Sequence, residues 1–202
     1  MISVYQLKSR FQSLLRPLVK KLNDYSVTAN QITLAACFGS LFVTFIVIFI
    51  LPHTWILWLI PIWMFVRMAL NAIDGMLAKE FAQKSNLGAY LNELCDVISD
   101  SSLFIILFYL PDASWILVLL LIIGAFLTEY AGVLGVLVGG SRRYDGPMGK
   151  SDRALLFGII SACLALGWLP ATALNIVLSI ILILLILTII NRVKTGLCET
   201  LH

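Results

Sequence analysis

The stretch ATALNIVLSIILILLILTII, residues 171–190, runs twenty positions without a charged side chain. A helix needs about 20 apolar residues to cross a hydrocarbon core roughly 30 Å thick. Inside that core every backbone N–H and C=O must be satisfied within the protein, so a run of this length forms a helix. A β-barrel strand would alternate apolar and polar positions, and SIILILLILTII does not. Working back along the chain, five more apolar blocks occur at 31–51, 54–73, 93–110, 114–138 and 154–169. Only 12% of residues are charged and 60% are hydrophobic, a composition that excludes an ordinary soluble globular domain. The predicted fold class is an all-α polytopic membrane protein with six transmembrane helices, forming a single domain over residues 1–202.

The first apolar block starts near residue 31, behind a polar head, and no small-residue cleavage site follows a short apolar region. The first span is therefore expected to stay in the membrane. Within the head, over 4–23, Phe11, Leu14, Leu15, Leu18 and Leu22 fall on one helical face and cations fill the other. This pattern predicts an amphipathic helix lying in the membrane interface, with Pro17 as a place for a kink. The four cysteines are scattered and no pair has zinc-ligand spacing.

The fourteen Lys and Arg set the orientation. Lys8, Arg10, Arg16, Lys20 and Lys21 precede span one, and Lys79 and Lys84 follow span two. Arg142, Arg143, Lys150 and Arg153 follow span four, and Arg192 and Lys194 follow span six. The other three connections carry none, so thirteen of the fourteen share one face and Arg67 alone lies within a span. The positive-inside rule makes that face cytoplasmic, with both termini on it. A net charge of only +3 gives no case for nucleic acid as a partner; the cations lie where anionic lipid head groups are.

Against this apolar background, NAIDGMLAKEFAQKSNLGAYLNELCDVISD, residues 71–100, concentrates oxygen ligands. Asn71, Asp74, Gly75 and Ala78 share one face at the end of span two. Gly88, Asn92, Asp96 and Asp100 recur every four residues at the start of span three, with Glu93 on the adjoining face. A short loop makes the two helices antiparallel neighbours, so the rows can converge. Carboxylates near hydrocarbon are costly, and a divalent cation compensates them; carboxylate and amide oxygens suit Mg²⁺, Mn²⁺ or Ca²⁺. Gly75, Ala78 and Gly88 fit either close helix packing or the approach of a ligand to the backbone. His53 and His202 lie far from this cluster, which leaves a zinc hydrolase site without support.

A second cluster, SRRYDGPMGKSDRAL at 141–155, sets Arg142, Arg143, Lys150 and Arg153 around a Gly/Pro turn, with Ser151 and Asp152 as expected caps of the next helix. Such a turn is a phosphate receptor or simply topology charge. With the carboxylate rows on the same face, the two clusters suggest phosphoryl-type chemistry at the cytoplasmic interface.

These residues resemble the CDP-alcohol phosphatidyltransferase family, whose signature is D-x2-D-G-x2-A-R-x8-G-x3-D-x3-D. Asp74, Gly75, Ala78, Gly88 and Asp96 match it without gaps, while Asn71, Lys79 and Asn92 stand where the family has Asp, Arg and Asp. TANQIT (28–33) is similar to the family's T-P-N-x-L-T before span one, with Ala29 for proline, and GKSDRA to its basic segment before span five. The resemblance implies a six-helix, homodimeric enzyme of a bacterial inner membrane, with its active site on the cytoplasmic side. It would transfer the phosphatidyl group of CDP-diacylglycerol or a related CDP-alcohol to an alcohol acceptor, releasing CMP. It implies one or two Mg²⁺ or Mn²⁺ ions on Asp74 and Asp96, with Asp96 also deprotonating the acceptor. Asn30, Asp74, Gly75, Ala78, Lys79 and Gly88 would contact the nucleotide. Arg142, Arg143, Lys150, Arg153 and Arg192 would surround an acidic, for instance phosphorylated, acceptor.

Four family aspartates would balance two divalent ions, whereas Asp74 and Asp96 balance one. Asn71 and Asn92 can still ligate through their carbonyl oxygens. Either the site uses one ion, or Glu93 and Asp100 restore the missing charge, and the second version is favoured here. The asparagines also motivate another function, a lipid- or nucleotide-binding protein without transferase activity. Glu129 and Arg67 would be the only further support for a transporter; Glu129 is read instead as a hydrogen-bonded packing or dimer residue.

Overall fold

A computed structural model of the protein describes residues 4–200; residues 1–3 and 201–202 of the expected domain lie outside the described residues. Among the described residues the chain is all-helical. Seven α-helices occur in the order α1 (Val4–Asp24), α2 (Ala29–Ile50), α3 (Leu59–Glu80), α4 (Asn86–Ile105), α5 (Trp115–Leu137), α6 (Lys150–Ala165) and α7 (Ala171–Thr200). Short 3₁₀ turns, Thr54–Trp58 and Ile106–Tyr109, extend α3 and α4 at their outer ends. The expected helical head and all six apolar blocks thus fall on helices.

Four of these elements are long and apolar enough to cross a membrane by themselves: Ala29–Ile50, Thr54–Glu80, Trp115–Leu137 and Ala171–Thr200. The other two expected spans are of a different kind. α6 has only 16 residues, and α4 carries Glu93, Asp96 and Asp100 along its length. Both pack against the longer helices, α6 on α3 and α4 between α2 and α5.

Local chemistry sets the helix starts. The Thr28 hydroxyl accepts from Gln31 N at 3.3 Å, while Gln31 Oε1 accepts from Thr28 N at 2.9 Å, a reciprocal cap on α2. Ser85 Oγ accepts from Gly88 N at 2.9 Å and starts α4 after a short link from Glu80. At α6 the sequence expectation is corrected by one turn position. Gly149, in an extended conformation, is the cap, and Asp152 Oδ2 accepts its N–H at 2.9 Å. Ser151 and Asp152 lie inside the helix because glycine takes the cap at no steric cost.

Apolar packing divides in two. The larger core joins Val47, Ile60, Leu103, Leu121, Phe157 and Leu178 from six helices. A smaller one lies at the opposite end of the bundle, where Val19 of α1 meets Ala29 and Ile32 of α2 and Ile73, Met76 and Leu77 of α3. Arg16 and Glu80 pair at 2.9 Å across the same α1–α3 seam, so the amphipathic helix is docked where α3 ends. On the outside, Phe38, Phe42, Phe45 and Phe49 make an exposed aromatic face of α2, as expected of a lipid-facing stripe.

Candidate active site

Of the rows read from residues 71–100, Asp74 and Asp96 come near each other. Asp74, on the last turns of α3, and Asp96, in the middle of α4, are both buried and face each other electrostatically, with Lys150 as the cation common to both. The Thr33 hydroxyl, from α2, donates to Asp74 Oδ2 at 2.8 Å. Asp96 Oδ1 contacts Lys150 Nζ directly and lies 3.6 Å from Arg67 Nη2. Asn71 is half-buried one turn before Asp74, and Asn92 is exposed one turn before Asp96.

Beside this pair opens a cavity of about 520 Å³. Asp74, Gly75 and Ala78 of α3 form one wall, Gly88, Asn92 and Glu93 of α4 another, and Asn30 and Thr33 of α2 a third. Val133, Val136 and Leu137 of α5 give it an apolar side. The glycines have distinct reasons to be there. A Cβ on Gly75 would meet no protein atom within 4 Å, so its smallness serves the cavity and not helix packing. A Cβ on Gly88 would stand 2.7 Å from Asn30 Oδ1 and 3.0 Å from Ser85 Oγ, so glycine there lets α2 and the α4 cap come together.

Behind the aspartates runs a buried chain of alternating charge. Arg67 Nη1 donates to Asp100 Oδ1 at 2.6 Å, and Arg153 donates to Asp100 Oδ2 from Nε at 3.1 Å and from Nη2 at 2.7 Å. Arg153 Nη2 reaches Glu129 Oε1 at 2.9 Å, and Arg142 Nη2 reaches Glu129 Oε2 at 3.0 Å. Arg142 closes on Glu93, with Nη2 donating to Oε2 at 2.6 Å and Nε 2.6 Å from Oε1 without the alignment of a hydrogen bond. Arg192 lies 3.5 Å from Glu129 and donates to the Thr128 carbonyl. A buried ion needs pairing and hydrogen bonds, and this chain supplies them from α3, α4, α5, α6, α7 and the α5–α6 connection, with Arg142 Nε the one fully buried nitrogen among these residues left without a hydrogen bond.

This geometry sorts the residues expected to bind ligands. Asp74, Asn92, Gly75, Ala78, Gly88 and Asn30 share the cavity. Lys79 is exposed outside its lining, and Lys84 lines it instead. Asp100 and Glu93 are engaged by arginines, the first on both oxygens. Of the basic cluster, Lys150 reaches the aspartate pair, Arg142 lines the cavity, and Arg153 and Arg192 are buried in the ionic chain. Arg143 is turned to the far side, on Asp145 at 2.8 Å and Glu199 at 2.8 Å. Among the described residues no three of His, Cys, Asp and Glu gather as a metal group. Two carboxylates and two amide carbonyls remain, a donor set that suits one hard divalent ion and is short of negative charge for two.

Two contributors, Thr33 and Gln83, were not singled out from the sequence, and a third, Glu129, was read as hydrogen-bonded without its charged partners. Thr33 sits inside TANQIT, yet nothing local says that its hydroxyl meets a carboxylate 41 residues away. Gln83 Oε1 accepts from Ala29 N at 2.8 Å while Gln83 Nε2 donates to Asn23 Oδ1 at 3.1 Å, tying the α3–α4 link to the α1–α2 corner. Glu129, taken for a packing or dimer residue, is a charged partner of three arginines. Its signal was available: a lone Glu in an apolar span implies a cation from a neighbouring helix.

Comparison with known proteins agrees with this arrangement. The chain is 45% identical over 198 residues to the inner membrane protein YnbA of Escherichia coli (strain K12), an alignment covering 97% of each chain. The family model described as CDP-alcohol phosphatidyltransferase matches residues 26–195, which takes in both aspartate-bearing helices, the cavity and the basic α5–α6 connection. A match of that extent, over a site with this layout, places the chain in the CDP-alcohol phosphatidyltransferase family.

Proposed function

We propose that the protein transfers the phosphatidyl group of CDP-diacylglycerol, or the substituted phosphate of a related CDP-alcohol, to the hydroxyl of an acceptor and releases CMP. The observation that carries this reading is buried Asp74, which lines a cavity where Gly75 leaves room for a ligand and which has buried Asp96 as its charged neighbour. The cytidine and pyrophosphate are assigned to that cavity, against Asn30, Gly75, Gly88 and Asn92, with Lys84 at its rim. The apolar side formed by Val133, Val136 and Leu137 suits the lipid part of the donor. The charge pattern of the loops supports a cytoplasmic site in a bacterial inner membrane.

In this mechanism Thr33 fixes the rotamer of Asp74, and Asp74 and Asp96, with the carbonyls of Asn71 and Asn92, would hold a Mg²⁺ or Mn²⁺ ion. That ion would polarise the phosphorus and stabilise the leaving CMP. Asp96 takes the proton of the acceptor hydroxyl through Oδ2, since its cations approach through Oδ1. Lys150 and Arg142 supply positive charge on the acceptor side. Arg153, Arg192 and Arg143 are held by carboxylates and act as scaffold. Glu93 and Asp100 are likewise engaged by arginines, which leaves the ligand set without them.

Purified protein incubated with CDP-diacylglycerol, Mn²⁺ and a panel of alcohols should release CMP, and Asp96→Asn should abolish the release. Retention of CDP binding with no CMP from any acceptor would support instead the binding-protein reading that the two asparagines suggest.

A further inference from the structure

Five carboxylates meet in and behind the site, Asp74, Glu93, Asp96, Asp100 and Glu129, and five cations face them, Arg67, Arg142, Lys150, Arg153 and Arg192, while Lys84 adds a sixth, exposed cation at the cavity rim. The facing side chains therefore neutralise one another. A CDP-alcohol brings a pyrophosphate diester of charge −2, which a single divalent ion cancels. A second ion would leave at least two uncompensated positive charges beside the buried aspartates, where excess charge is costly. Two details show how the chain meets this balance. Asn71 and Asn92 offer oxygens without charge, and the Lys150 ammonium sits on Asp96 Oδ1 while also facing Asp74.

From this we infer that Lys150 takes the place of one divalent cation, so that the site binds one metal ion per chain, with the ammonium as the second positive centre beside the aspartates. The position of Lys150 suits the part. It is the first residue of α6, held by the Gly149–Asp152 cap, and its side chain is only partly exposed. It stands three residues from Arg153, which anchors α6 to Asp100 from the adjoining face. The ammonium is thus delivered by a fixed helix end. Arg67 cannot take that role, because it is committed to Asp100 at 2.6 Å and reaches Asp96 only at 3.6 Å.

The inference rests on the proposed metal-dependent transfer, and its test separates the two. Mn²⁺ binding to the purified full-length protein in detergent micelles is counted by electron paramagnetic resonance and calorimetry, with saturating CDP-diacylglycerol and no acceptor alcohol, against protein-free micelles holding the same donor. The wild type should bind one Mn²⁺ per chain. Lys150→Met should tighten that ion by about tenfold, the expected effect of removing a positive charge a few ångströms from a divalent ion under aqueous screening. Lys150→Arg should keep the wild-type affinity. Asn71→Asp with Asn92→Asp and Lys150→Met together should bind two ions, and gel filtration checks that this variant is folded. Two Mn²⁺ on the wild type, none on it, or an unchanged affinity in Lys150→Met would each overturn the inference. CMP release measured in parallel judges the transfer reading alone. Release with two ions bound would leave the enzyme and remove the lysine's role. One ion bound without release from any acceptor would do the reverse.

Discussion

Asp100 Oδ2 accepts from both Nε and Nη2 of Arg153, at 3.1 and 2.7 Å, and Arg67 takes Oδ1 of the same carboxylate at 2.6 Å. The residue that the spacing of α4 placed in a row of metal ligands is thereby a structural counter-ion between α3 and α6. Asp100→Asn should lower stability by about 3–5 kcal/mol, as expected when one partner of a buried ion pair is removed. It should leave Mn²⁺ affinity near the wild-type value. Thermal unfolding in detergent and metal titration of the same preparation check the two halves. A large loss of metal affinity with unchanged stability would return Asp100 to the ligand set.

Gly75 and Gly88 should respond to alanine in opposite ways. At Gly75 the added methyl meets open space, so stability should hold or rise by up to about 1 kcal/mol from helix propensity, while affinity for CDP falls. At Gly88 the methyl meets Asn30 and the Ser85 cap, so stability should drop by about 1–3 kcal/mol. Paired unfolding and CDP-binding measurements distinguish them.

Thr33→Val removes the hydroxyl that donates to Asp74 at 2.8 Å, without changing side-chain volume much. A hydrogen bond to a charged group contributes about 1.5–3 kcal/mol, and a loss in that range is expected, with Thr33→Ser recovering most of it. Metal affinity should weaken as well, because Asp74 is then free to rotate. An unaltered Mn²⁺ titration would show that Asp74 is fixed by other neighbours.

The loop between α5 and α6 carries a pH-sensitive contact. The hydrogen bond from Arg143 Nε holds the Asp145 carboxyl below its ordinary range, with Thr195 adding a second donor. A depressed carboxylate contributes stability above its unfolded value, near pH 4, and loses it as pH falls through the folded value. The melting temperature of the wild type should therefore decline more steeply from pH 5 to pH 3 than that of Asp145→Asn.

The parts of this protein legible from the chain were those fixed by local periodicity. Apolar runs marked the helices, and four-residue spacing put Asp74 on one row and Asp96 on another. Spacing along one helix says nothing of which neighbour supplies a partner. Glu93 and Asp100 lie on α4 as plausibly as Asp96; what separates them is that arginines occupy both oxygens of each, whereas both cations on Asp96 approach through Oδ1. The cluster at 141–155 was similarly resolved by its surroundings. Arg143 faces Glu199 at the end of α7, a residue outside any motif, while Lys150 faces the aspartates. At the start of α6 Gly149 takes the cap position and Asp152, three residues on, supplies the carboxylate that accepts its N–H.

The Arg67–Asp100 pair also bears on how the chain enters the bilayer. Helices emerge in sequence order, and α4 brings Asp96 and Asp100 to the membrane before Arg153 has been synthesised. Each lone charge at a helix centre costs about 2.5–3.5 kcal/mol on insertion scales. Arg67 is already present on α3, joined to α4 by the short link after Glu80, and is the first cation able to offset them. Within the α3–α4 hairpin Arg67 thus offsets Asp100, and Asp96 gains its nearest cation only with Lys150 at the start of α6.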